Sequence, residues 1–464
     1  MKPGIELEGK RVLVVGLART GIATALFCAA HGARVTATEE RAEAEIAETV
    51  AKLRTAGVVP ELGGHREETF LAQDLIVPSP GVPANMSNLE AAREAKIPVW
   101  SEIELAWRFL SGRLIAVTGS NGKTTTTSLI GHILENAKIP TIVAGNIGTP
   151  LISRVAETSE ATVTVAEVSS FQLELIDKFR PNIGLLLNIT PDHLDRHASL
   201  EAYGRAKARI FENQVEPDAA ILNADDEGAA QYAPSRPRVF WFSRTKRVAR
   251  GIFLRDAEVV LRDDGAETVL LRRADIGLRG EHNVENVLAA AGAAFLAGIG
   301  PSAIASGVRS FAGVEHRLEF VAEINGVNYY NDSKATNVDA TLKALDAFSG
   351  NLLVILGGKD KGGDFTLLRE PLHQRAKVAL LIGAAAEKIA SQIQGAAPME
   401  SVGTIERAVS RAAELAKPGD TVLLAPACAS FDQFHNFEHR GRIFKQRVRL
   451  LEEEFAAGNR ARAS

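Results

Sequence analysis

Apolar positions along this chain alternate between short continuous runs and repeats at helical spacing. Residues 11–16 form the first run, which ends at a glycine, and a helical repeat continues through Ala30. A second run follows at residues 33–38, and shorter ones at 75–77 and 97–100. Short apolar runs predict buried strands, and their alternation with helices predicts parallel βαβ units.

The middle of the chain repeats this alternation. Residues 114–117 predict a buried strand, and apolar residues recur at helical spacing over 125–136. Further strands are predicted at residues 141–144, 161–168, 183–189 and 219–223. From about residue 236 to residue 271 the pattern changes to short stretches of alternating apolar and polar residues, which predict short strands. An Asp-Asp-Gly turn between residues 259–262 and 267–271 predicts a hairpin. The sequence therefore indicates a mainly parallel sheet that also contains a hairpin.

The last third of the chain is again of the α/β type. Strands are predicted at residues 351–356, 378–382 and 421–424, with helical stretches between them. This order predicts another open sheet.

Composition narrows the class of protein. The 464 residues suggest two to four domains, and 46% hydrophobic with 24% charged residues is ordinary for a globular protein. A net charge of −4 argues against nucleic acid as the main partner. The only cysteines, Cys28 and Cys428, are too few for a disulfide framework and suit a reducing compartment. With no apolar run of about 18 residues, we expect a cytoplasmic monomer without a membrane span.

A glycine-rich loop joins the strand at 114–117 to the following helix. Gly119 and Gly122 allow a tight turn, Lys123 adds a positive charge, and Thr124 offers a hydroxyl to a phosphate-bound Mg²⁺. The full Walker pattern has a glycine where this chain has Val117, so the match is a shortened one. A turn without a ligand is the alternative, but strand, loop and helix in this order favour a nucleotide triphosphate. The predicted triphosphate-binding residues of the loop are Gly119, Ser120, Asn121, Gly122, Lys123, Thr124 and Thr125.

These elements predict an α/β fold with three domains. A break near residues 111–113 and another near 311–314 separate them. We predict a Rossmann-like N-terminal domain at 1–111, a central P-loop ATP-binding parallel-sheet domain at 112–312, and a C-terminal Rossmann-like α/β domain at 313–464.

The first glycine loop departs from the dinucleotide pattern. Ala18 stands where Gly-x-Gly-x-x-Gly has its second glycine. Glu39 ends the next strand, where an acidic group can hold a ribose or base. The loop therefore favours a nucleotide diphosphate over NAD, with a plain α/β domain and a solvated Glu39 as the alternative. The predicted loop residues are Gly16, Leu17, Ala18, Arg19, Thr20 and Gly21.

Polar residues follow three predicted strands of the middle region. Asn146, Glu167 and residues 188–195 lie where ligands gather in parallel sheets. Glu167 and Thr124 suit Mg²⁺, which prefers oxygen ligands. A solvated carboxylate is the alternative for Glu167 alone, and His193 is a less typical magnesium ligand.

Lys207 is predicted to face inward. On a helix over residues 200–213, Tyr203, Ile210 and Phe211 share its face. A buried ammonium needs a partner or loses its charge. A neutral lysine can react with CO₂ to form a carbamate, which is an oxygen ligand, whereas a structural lysine with a buried stem is the alternative.

The last third has polar loops of its own. Residues 331–337, 357–363 and 427–434 place lysines, a serine and backbone donors near strand ends. Such groups would hold a small dicarboxylate, and Arg317 could reach a transferring phosphoryl group.

Together these motifs resemble those of the ATP-dependent Mur ligases of peptidoglycan synthesis. The similarity rests on residues 118–124, Glu167 to Glu174, 192–195, His282 with Asn283 and Asn286, and His316 with Arg317. Residues 79–83, 145–148, 331–337 and 426–434 resemble the branch that adds D-glutamate to UDP-N-acetylmuramoyl-L-alanine.

The resemblance implies a role for each matching residue. The first glycine loop, Glu39 and Asn146 would bind the UDP substrate, although the family usually has aspartate at Glu39. Two Mg²⁺ ions would be held by Thr124, Glu167, His193 and the carbamate of Lys207, and the catalytic residues would be Lys123, Glu167, His193 and Lys207. Further ATP contacts would come from Asn283, Asn286, Arg317 and Asp332. D-glutamate would be bound by Lys334, Thr336, Lys361, Ser430, Phe431 and Phe437.

Other functions stay open at this point. One is a ligase that adds L-alanine or a diamino acid, or a folate-polyglutamate ligase, against which residues 332–337 argue. Another is a nucleotide-binding regulatory or motor protein that uses the same loop. A dehydrogenase is disfavoured by Ala18.

Overall fold

The computed structural model describes residues 5–146, 148–191 and 196–463, without the side chains of 458–463. The chain divides into two compact units. The first unit comprises Met1–Gly277 and His282–Phe311, and the second comprises Leu278–Glu281 and Ala312–Ser464. Across the described residues, no helix has the length and hydropathy of a membrane span.

Parallel strands and helices alternate through most of the chain. The strands are β1 Arg11–Val15, β2 Arg34–Glu39, β3 Val59–Leu62, β4 Leu75–Pro78, β5 Arg113–Thr118, β6 Thr141–Gly145, β7 Val163–Glu167, β8 Ile183–Leu186, β9 Ala219–Asn223, β10 Arg238–Ser243, β11 Gly251–Arg255, β12 Glu258–Asp263, β13 Ala266–Arg272, β14 Glu319–Ile324, β15 Val327–Asn331, β16 Leu352–Gly357, β17 Ala376–Ile382, β18 Met399–Gly403 and β19 Thr421–Leu424. The helices are α1 Arg19–Ala30, α2 Ala47–Thr55, α3 Glu67–Leu71, α4 Ser87–Glu94, α5 Glu102–Phe109, α6 Lys123–Asn136, α7 Ser170–Leu173, α8 Leu200–Ala208, α9 Glu227–Ala230, α10 Glu281–Leu296, α11 Pro301–Ser310, α12 Val338–Asp346, α13 Arg369–Arg375, α14 Ala386–Gln392, α15 Ile405–Leu415 and α16 Phe437–Ala463.

The first sheet has the strand order β3-β2-β1-β4, and its strands are parallel. A fifth strand at residues 97–100 was predicted and is wrong, because this segment makes only a single bridge between Val99 and Ile76. Parallel order places the loops after β1, β2 and β4 at one edge of the sheet. This edge carries Gly16–Gly21, Glu39 and the turn at residues 79–83.

The second sheet has the order β13-β12-β11-β10-β9-β8-β5-β7-β6. It is parallel from β6 to β11, and β12 and β13 pair antiparallel at the other edge, as the hairpin prediction required. The glycine-rich loop follows β5, which lies between β7 and β8. The polar segments predicted after β6, β7 and β8 therefore border the loop from both sides.

The third sheet has the order β14-β15-β19-β16-β17-β18. The strands from β15 to β18 are parallel, and β14 pairs antiparallel with β15. Because β15, β19 and β16 are neighbours, the loops that follow them share one edge. These are the three polar loops that the sequence analysis identified.

The helix that carries Lys207 is shorter than predicted. We expected it to span residues 200–213, but α8 ends at Ala208 and a 3-10 turn at Arg209–Phe211 follows. Arg209 donates hydrogen bonds to the carbonyls of Leu173, Glu174 and Ile176, which fixes the chain direction at this point. A tertiary contact of this kind leaves no periodic signal in the sequence.

Candidate active site

The loop after β5 needs glycine at two positions. Gly119 has φ +153° and Gly122 has φ +83°, conformations that other residues rarely adopt. A Cβ at Gly122 would lie 2.2 Å from Oδ1 of Asn286, and one at Gly119 would lie 2.9 Å from Cβ of Leu187. The two glycines therefore allow both the turn and the close approach of neighbouring side chains.

The segment after β8 holds the loop in place. The Ser120 N–H donates to the Asn188 carbonyl (3.0 Å), and the Asn121 N–H donates to Asn188 Oδ1 (2.8 Å). The Thr190 N–H donates to Ser120 Oγ (2.9 Å). Asn188 and Thr190 thus fix the loop, a role that the sequence analysis did not assign to them.

Lys123, the first residue of α6, folds back over the loop. Its Nζ donates to the carbonyls of Gly119 (2.8 Å) and Ser120 (2.9 Å). The ammonium group therefore lies beside the backbone turn that precedes the helix N-terminus, where an anion is stabilised. Thr125, the third residue of α6, is buried.

Glu167 is a buried carboxylate at the end of β7, with 3% of the residue exposed. Thr124 Oγ1 donates to its Oε2 (2.8 Å), and Asn146 Nδ2 donates to its Oε1 (2.9 Å). Within the described part of the chain, its side-chain partners are these neutral groups. A buried carboxylate beside a hydroxyl oxygen fits a hard divalent cation such as Mg²⁺, which would supply the missing positive charge.

Lys207 faces inward as predicted, with 1% of the residue exposed. Its Nζ donates to the Gly119 carbonyl (2.9 Å) and lies 4.4 Å from the ring centre of Tyr203. The amine is therefore in direct contact with the glycine-rich loop. His193, the other predicted ligand of the second ion, lies outside the described residues.

Two asparagines of α10 lie beside the same loop. Asn286 Nδ2 donates to Asn283 Oδ1 (2.9 Å), and Thr126 Oγ1 donates to Asn286 Oδ1 (3.3 Å). Both asparagines are buried. The structure thus brings the predicted ATP residues of the first unit together around β5 and α6.

The first glycine loop packs tightly against its own turn. A Cβ at Gly21 would lie 1.9 Å from the Gly16 carbonyl oxygen, which Ser79 Oγ already contacts at 2.8 Å. Leu17 and Ala18 lead into α1, which begins at Arg19, and Thr20 is its second residue. Arg19 Nη1 donates to the Gly148 carbonyl (2.5 Å), next to the segment that carries Asn146.

Glu39 is held by protein groups and is not simply solvated. The Leu17 N–H donates to its Oε2 (2.7 Å), and Arg41 Nη2 lies 2.9 Å from the same oxygen. The hydrogen bond from Arg41, followed by those from backbone N–H groups, lowers the pKa of Glu39 to about 2. The carboxylate is therefore ionised at neutral pH and stabilises the loop.

A cavity of about 450 Å³ opens beside Glu39. It is lined by Gly16, Glu39, Glu40, His65, Gly81, Val82, Pro83, Asn85 and Met86. His65, which follows β3, was not identified from the sequence, because its place at the cavity depends on which loops meet there. Its Nδ1 lies 2.8 Å from Thr38 Oγ1, which orients the ring at the cavity.

Arg196 fixes one wall of this cavity. Its guanidinium donates to the carbonyls of Pro80 (3.1 Å) and Val82 (2.6 Å), and it lies 4.2 Å from the ring centre of Phe171. The turn at residues 79–83 is thereby tied to the second sheet. An arginine in a polar loop gave no sequence signal for this contact.

In the second unit, Asp332 follows β15 and is almost fully buried. Burial raises its pKa to about 6, against the opposing effects of the Arg317 charge, the Leu318 N–H and the Lys334 charge. The Leu318 N–H lies 3.3 Å from Asp332 Oδ1. Arg317 and Asp332, both predicted ATP residues, are therefore electrostatically coupled.

The loop before Arg317 is held by a lysine. Glu315, His316 and Glu319 are close enough to hold a metal ion, but Lys445 Nζ binds both carboxylates at 2.6 and 2.7 Å. Burial lowers the pKa of His316, whose Nδ1 lies 2.8 Å from Asn331 Nδ2. This cluster is thus partly neutralised by a protein cation and anchors the loop.

The predicted D-glutamate residues lie on the three neighbouring loops of the third sheet and, for Phe437, at the start of α16. Lys334 Nζ lies 5.3 Å from the ring centre of Phe437, so the loop after β15 meets the start of this helix. Lys361 is exposed after β16, and Thr336 is half-buried after β15. Ser430 is buried after β19, whereas Phe431 is 67% exposed.

Comparison with known proteins identifies the family. Family models match residues 10–101 (Mur ligase MurD-like, N-terminal domain), 117–294 (Mur ligase middle domain) and 316–428 (Mur ligase, glutamate ligase domain). The chain is 52% identical over 451 residues to a UDP-N-acetylmuramoylalanine–D-glutamate ligase of Koribacter versatilis, covering 97% of this chain and 99% of that protein. The chain belongs to the Mur ligase family. A protein of the same name from Solibacter usitatus is 53% identical over 449 residues, covering 97% and 99%.

Solved structures agree with the three-domain α/β fold of this Mur ligase. MurF ligase from Thermotoga maritima in complex with ADP is similar, with a TM-score of 0.59 and 17% identity, covering 96% of each chain. UDP-N-acetylmuramate-alanine ligase MurC from the same organism has a TM-score of 0.59 and 19% identity, covering 95% of this chain and 99% of that one. At these identities the likeness concerns the fold, which confirms the predicted fold class.

Proposed function

We propose that this Mur ligase uses ATP to join D-glutamate to UDP-N-acetylmuramoyl-L-alanine, in the synthesis of peptidoglycan precursors. The observation that carries the proposal is identity above 50%, over nearly the whole chain, to proteins named UDP-N-acetylmuramoylalanine–D-glutamate ligase. The polar loops at the carboxyl edges of all three sheets support it.

We assign to each domain most of the contacts with one substrate. Residues 1–111 bind the UDP moiety, residues 112–312 bind ATP, and residues 313–464 bind D-glutamate. The cavity beside Glu39 supports the first assignment, since ligands of open α/β sheets bind outside the carboxyl ends of strands.

ATP phosphates are held by the loop at residues 119–125. Backbone N–H groups at the start of α6 face the anion, and Lys123 exchanges its two carbonyl partners for phosphate oxygens. Asn283 and Asn286 complete this part of the site. We assign Arg317 and Asp332 to ATP contacts as well.

Thr124 and Glu167 would hold one Mg²⁺ ion, and His193 and Lys207 would hold a second. For Lys207 to act as a ligand, its neutral amine would add to CO₂ and release a proton, which leaves a carbamate with oxygen ligands. Bound there, such ions would supply positive charge that neutralises the phosphates and orients the reacting carboxylate.

The reaction proceeds in two steps. A carboxylate oxygen of the L-alanyl group attacks the γ-phosphate, the bond to ADP breaks, and an acyl phosphate forms. The amine of D-glutamate attacks the acyl carbon, phosphate leaves, and the amine proton goes to a basic group or to water. Amide formation from a carboxylate is uphill, so ATP cleavage drives it, and the residues act mainly by positioning and by charge stabilisation.

D-glutamate is held by cations and hydrogen-bond donors on three loops. Lys334 and Lys361 face its carboxylates, Thr336 and Ser430 donate hydroxyl groups, and Phe431 and Phe437 enclose the side chain. Ammonium and hydroxyl groups near one sheet edge support a dicarboxylate substrate.

Phosphate release tests the function directly. We expect phosphate release to require ATP, UDP-N-acetylmuramoyl-L-alanine and D-glutamate together. The UDP-N-acetylmuramoyl dipeptide that forms should be detected by mass spectrometry. In parallel assays, L-alanine, L-glutamate or a diamino acid replaces D-glutamate. Turnover with one of these in place of D-glutamate, or release that ignores both substrates, would contradict the proposal.

A further inference from the structure

Arg440 is among the largest fully buried side chains of the described residues, with 0% of the residue exposed. It lies in the first turn of α16, three residues after Phe437. Its Nε donates to Ser333 Oγ (3.0 Å) and its Nη2 donates to the Ser333 carbonyl (2.8 Å). Its Nη1 donates to the carbonyls of Cys428 (3.1 Å) and Ala429 (3.4 Å).

These contacts join two of the loops that carry predicted D-glutamate residues. Ser333 belongs to the loop after β15, which carries Lys334 and Thr336. Cys428 and Ala429 belong to the loop after β19, which carries Ser430 and Phe431. One planar guanidinium therefore fixes the spacing between both loops, a geometry that suits its rigid set of donors.

The remaining predicted D-glutamate residues, Lys361 and Phe437, are connected to Arg440 indirectly. Ser333 Oγ donates to the Phe437 carbonyl at 2.8 Å. Ala429 pairs with Lys359 through two backbone hydrogen bonds (2.8 and 3.0 Å), and a Cβ at Gly358 would lie 3.1 Å from Arg440 Nη1. The loop that carries Lys361 is thus packed against the same centre.

The buried charge is not explained by an ion pair. Among the described residues, the hydrogen-bond acceptors of Arg440 are three carbonyls and one hydroxyl, with no carboxylate. Burial lowers the pKa of the guanidinium to about 10, so it stays protonated at neutral pH. The charge of Asp432 offsets part of the cost of burial, but no carboxylate of the described residues accepts a hydrogen bond from the guanidinium. A buried cation held in this way contributes little to stability, which indicates a further role for Arg440.

We infer that Arg440 is a positioning residue for the amino-acid substrate, which sets the relative placement of the three loops without touching D-glutamate. The inference rests on the proposed function, since the loops are assigned to D-glutamate there. Its positive charge also favours a dicarboxylate bound above it.

The test is the KM for each substrate in Arg440→Ala. We expect the KM for D-glutamate to rise about 10- to 100-fold, because displaced loops weaken the charge-assisted hydrogen bonds that hold the substrate carboxylates. The KM values for ATP and UDP-N-acetylmuramoyl-L-alanine should stay within about twofold. Guanidinium ion at millimolar concentration should fill the vacated space and lower the KM for D-glutamate, whereas urea should not.

Two further variants keep the inference testable if Arg440→Ala is unstable. Ser333→Ala removes one hydroxyl link and should raise the KM for D-glutamate several-fold in a folded protein. Arg447 lies two turns further along α16, and its guanidinium contacts Ser410 and Glu454. The control variant Arg447→Ala should leave all KM values unchanged.

The outcomes separate the two proposals. If the wild-type protein shows no D-glutamate-dependent turnover, the proposed function fails. If the wild-type protein is active but the variants lose only kcat, or show equal changes in every KM, Arg440 is merely structural and the inference is overturned.

Discussion

Asp332 makes the second unit sensitive to pH. Its folded pKa of about 6 lies above the ordinary aspartate value of 3.8, because burial disfavours the ionised form. A raised carboxyl pKa stabilises the fold fully below the unfolded pKa, and this contribution is lost as pH rises through the folded pKa. The second unit should therefore lose stability between about pH 4 and pH 6.

The size of the effect follows from the two pKa values. At about 1.4 kcal/mol per pH unit, the difference corresponds to about 3 kcal/mol at most. Asp332→Asn removes the ionisation but keeps an oxygen that can accept from the Leu318 N–H. The variant should match the wild type near pH 4 and exceed it at pH 8 by about 1–3 kcal/mol, which is several degrees in melting temperature.

Differential scanning calorimetry without nucleotide is the suitable assay. Tryptophan fluorescence would not report the change, because Trp100, Trp107 and Trp241 all belong to the first unit. Asp339→Asn is the control, since that carboxylate is exposed on α12. A stability difference between Asp332→Asn and the wild type that is the same at pH 4 and pH 8 would refute the reasoning.

Three further substitutions test the first unit. Lys123→Ala should lower ADP formation about 100-fold or more while binding of the UDP substrate, measured by calorimetry, persists; unchanged turnover would remove the lysine from the reaction. Lys207→Ala should abolish turnover that short carboxylic acids partly restore, and ¹³C-bicarbonate should give a carbamate NMR signal in the wild type only. Full activity of the alanine variant would exclude this role. Gly122→Ala should raise the KM for ATP and lower stability by more than the about 1–2 kcal/mol of left-handed strain, because its Cβ meets Asn286. Gly57→Ala, with φ +78° and no described heavy atom within 4 Å of its Cβ, is the matched control, and equal losses would contradict the steric argument.

The periodicity of the sequence was sufficient for most of the sheet structure. Apolar runs located β5, β9 and β19 closely, because buried parallel strands have a strong local pattern. The edge strand β3 was missed, since its residues Val-Pro-Glu-Leu are only partly buried and include a proline. Boundaries also shifted where tertiary contacts terminate a helix, as Arg209 does after α8.

Part of the candidate site could also be predicted from the order of strands and helices along the chain. Lys123, Thr124 and Glu167 lie at strand ends, so the topology of a parallel sheet was enough to bring them together. His65 and Arg196 were missed because their roles depend on which loops meet at the cavity. The inward direction of Lys207 was readable from its helical neighbours, but its contact with Gly119 was not.

The sequence by itself determined most of the elements, the parallel α/β class of the sheets and the candidate residues for the chemistry, because glycine conformations and apolar periodicity are local properties. The tertiary structure alone decided which buried polar groups hold the loops, above all Arg440 beneath the loops assigned to D-glutamate. Its partners lie 11 to 107 residues away along the chain, and a contact over that distance depends on packing.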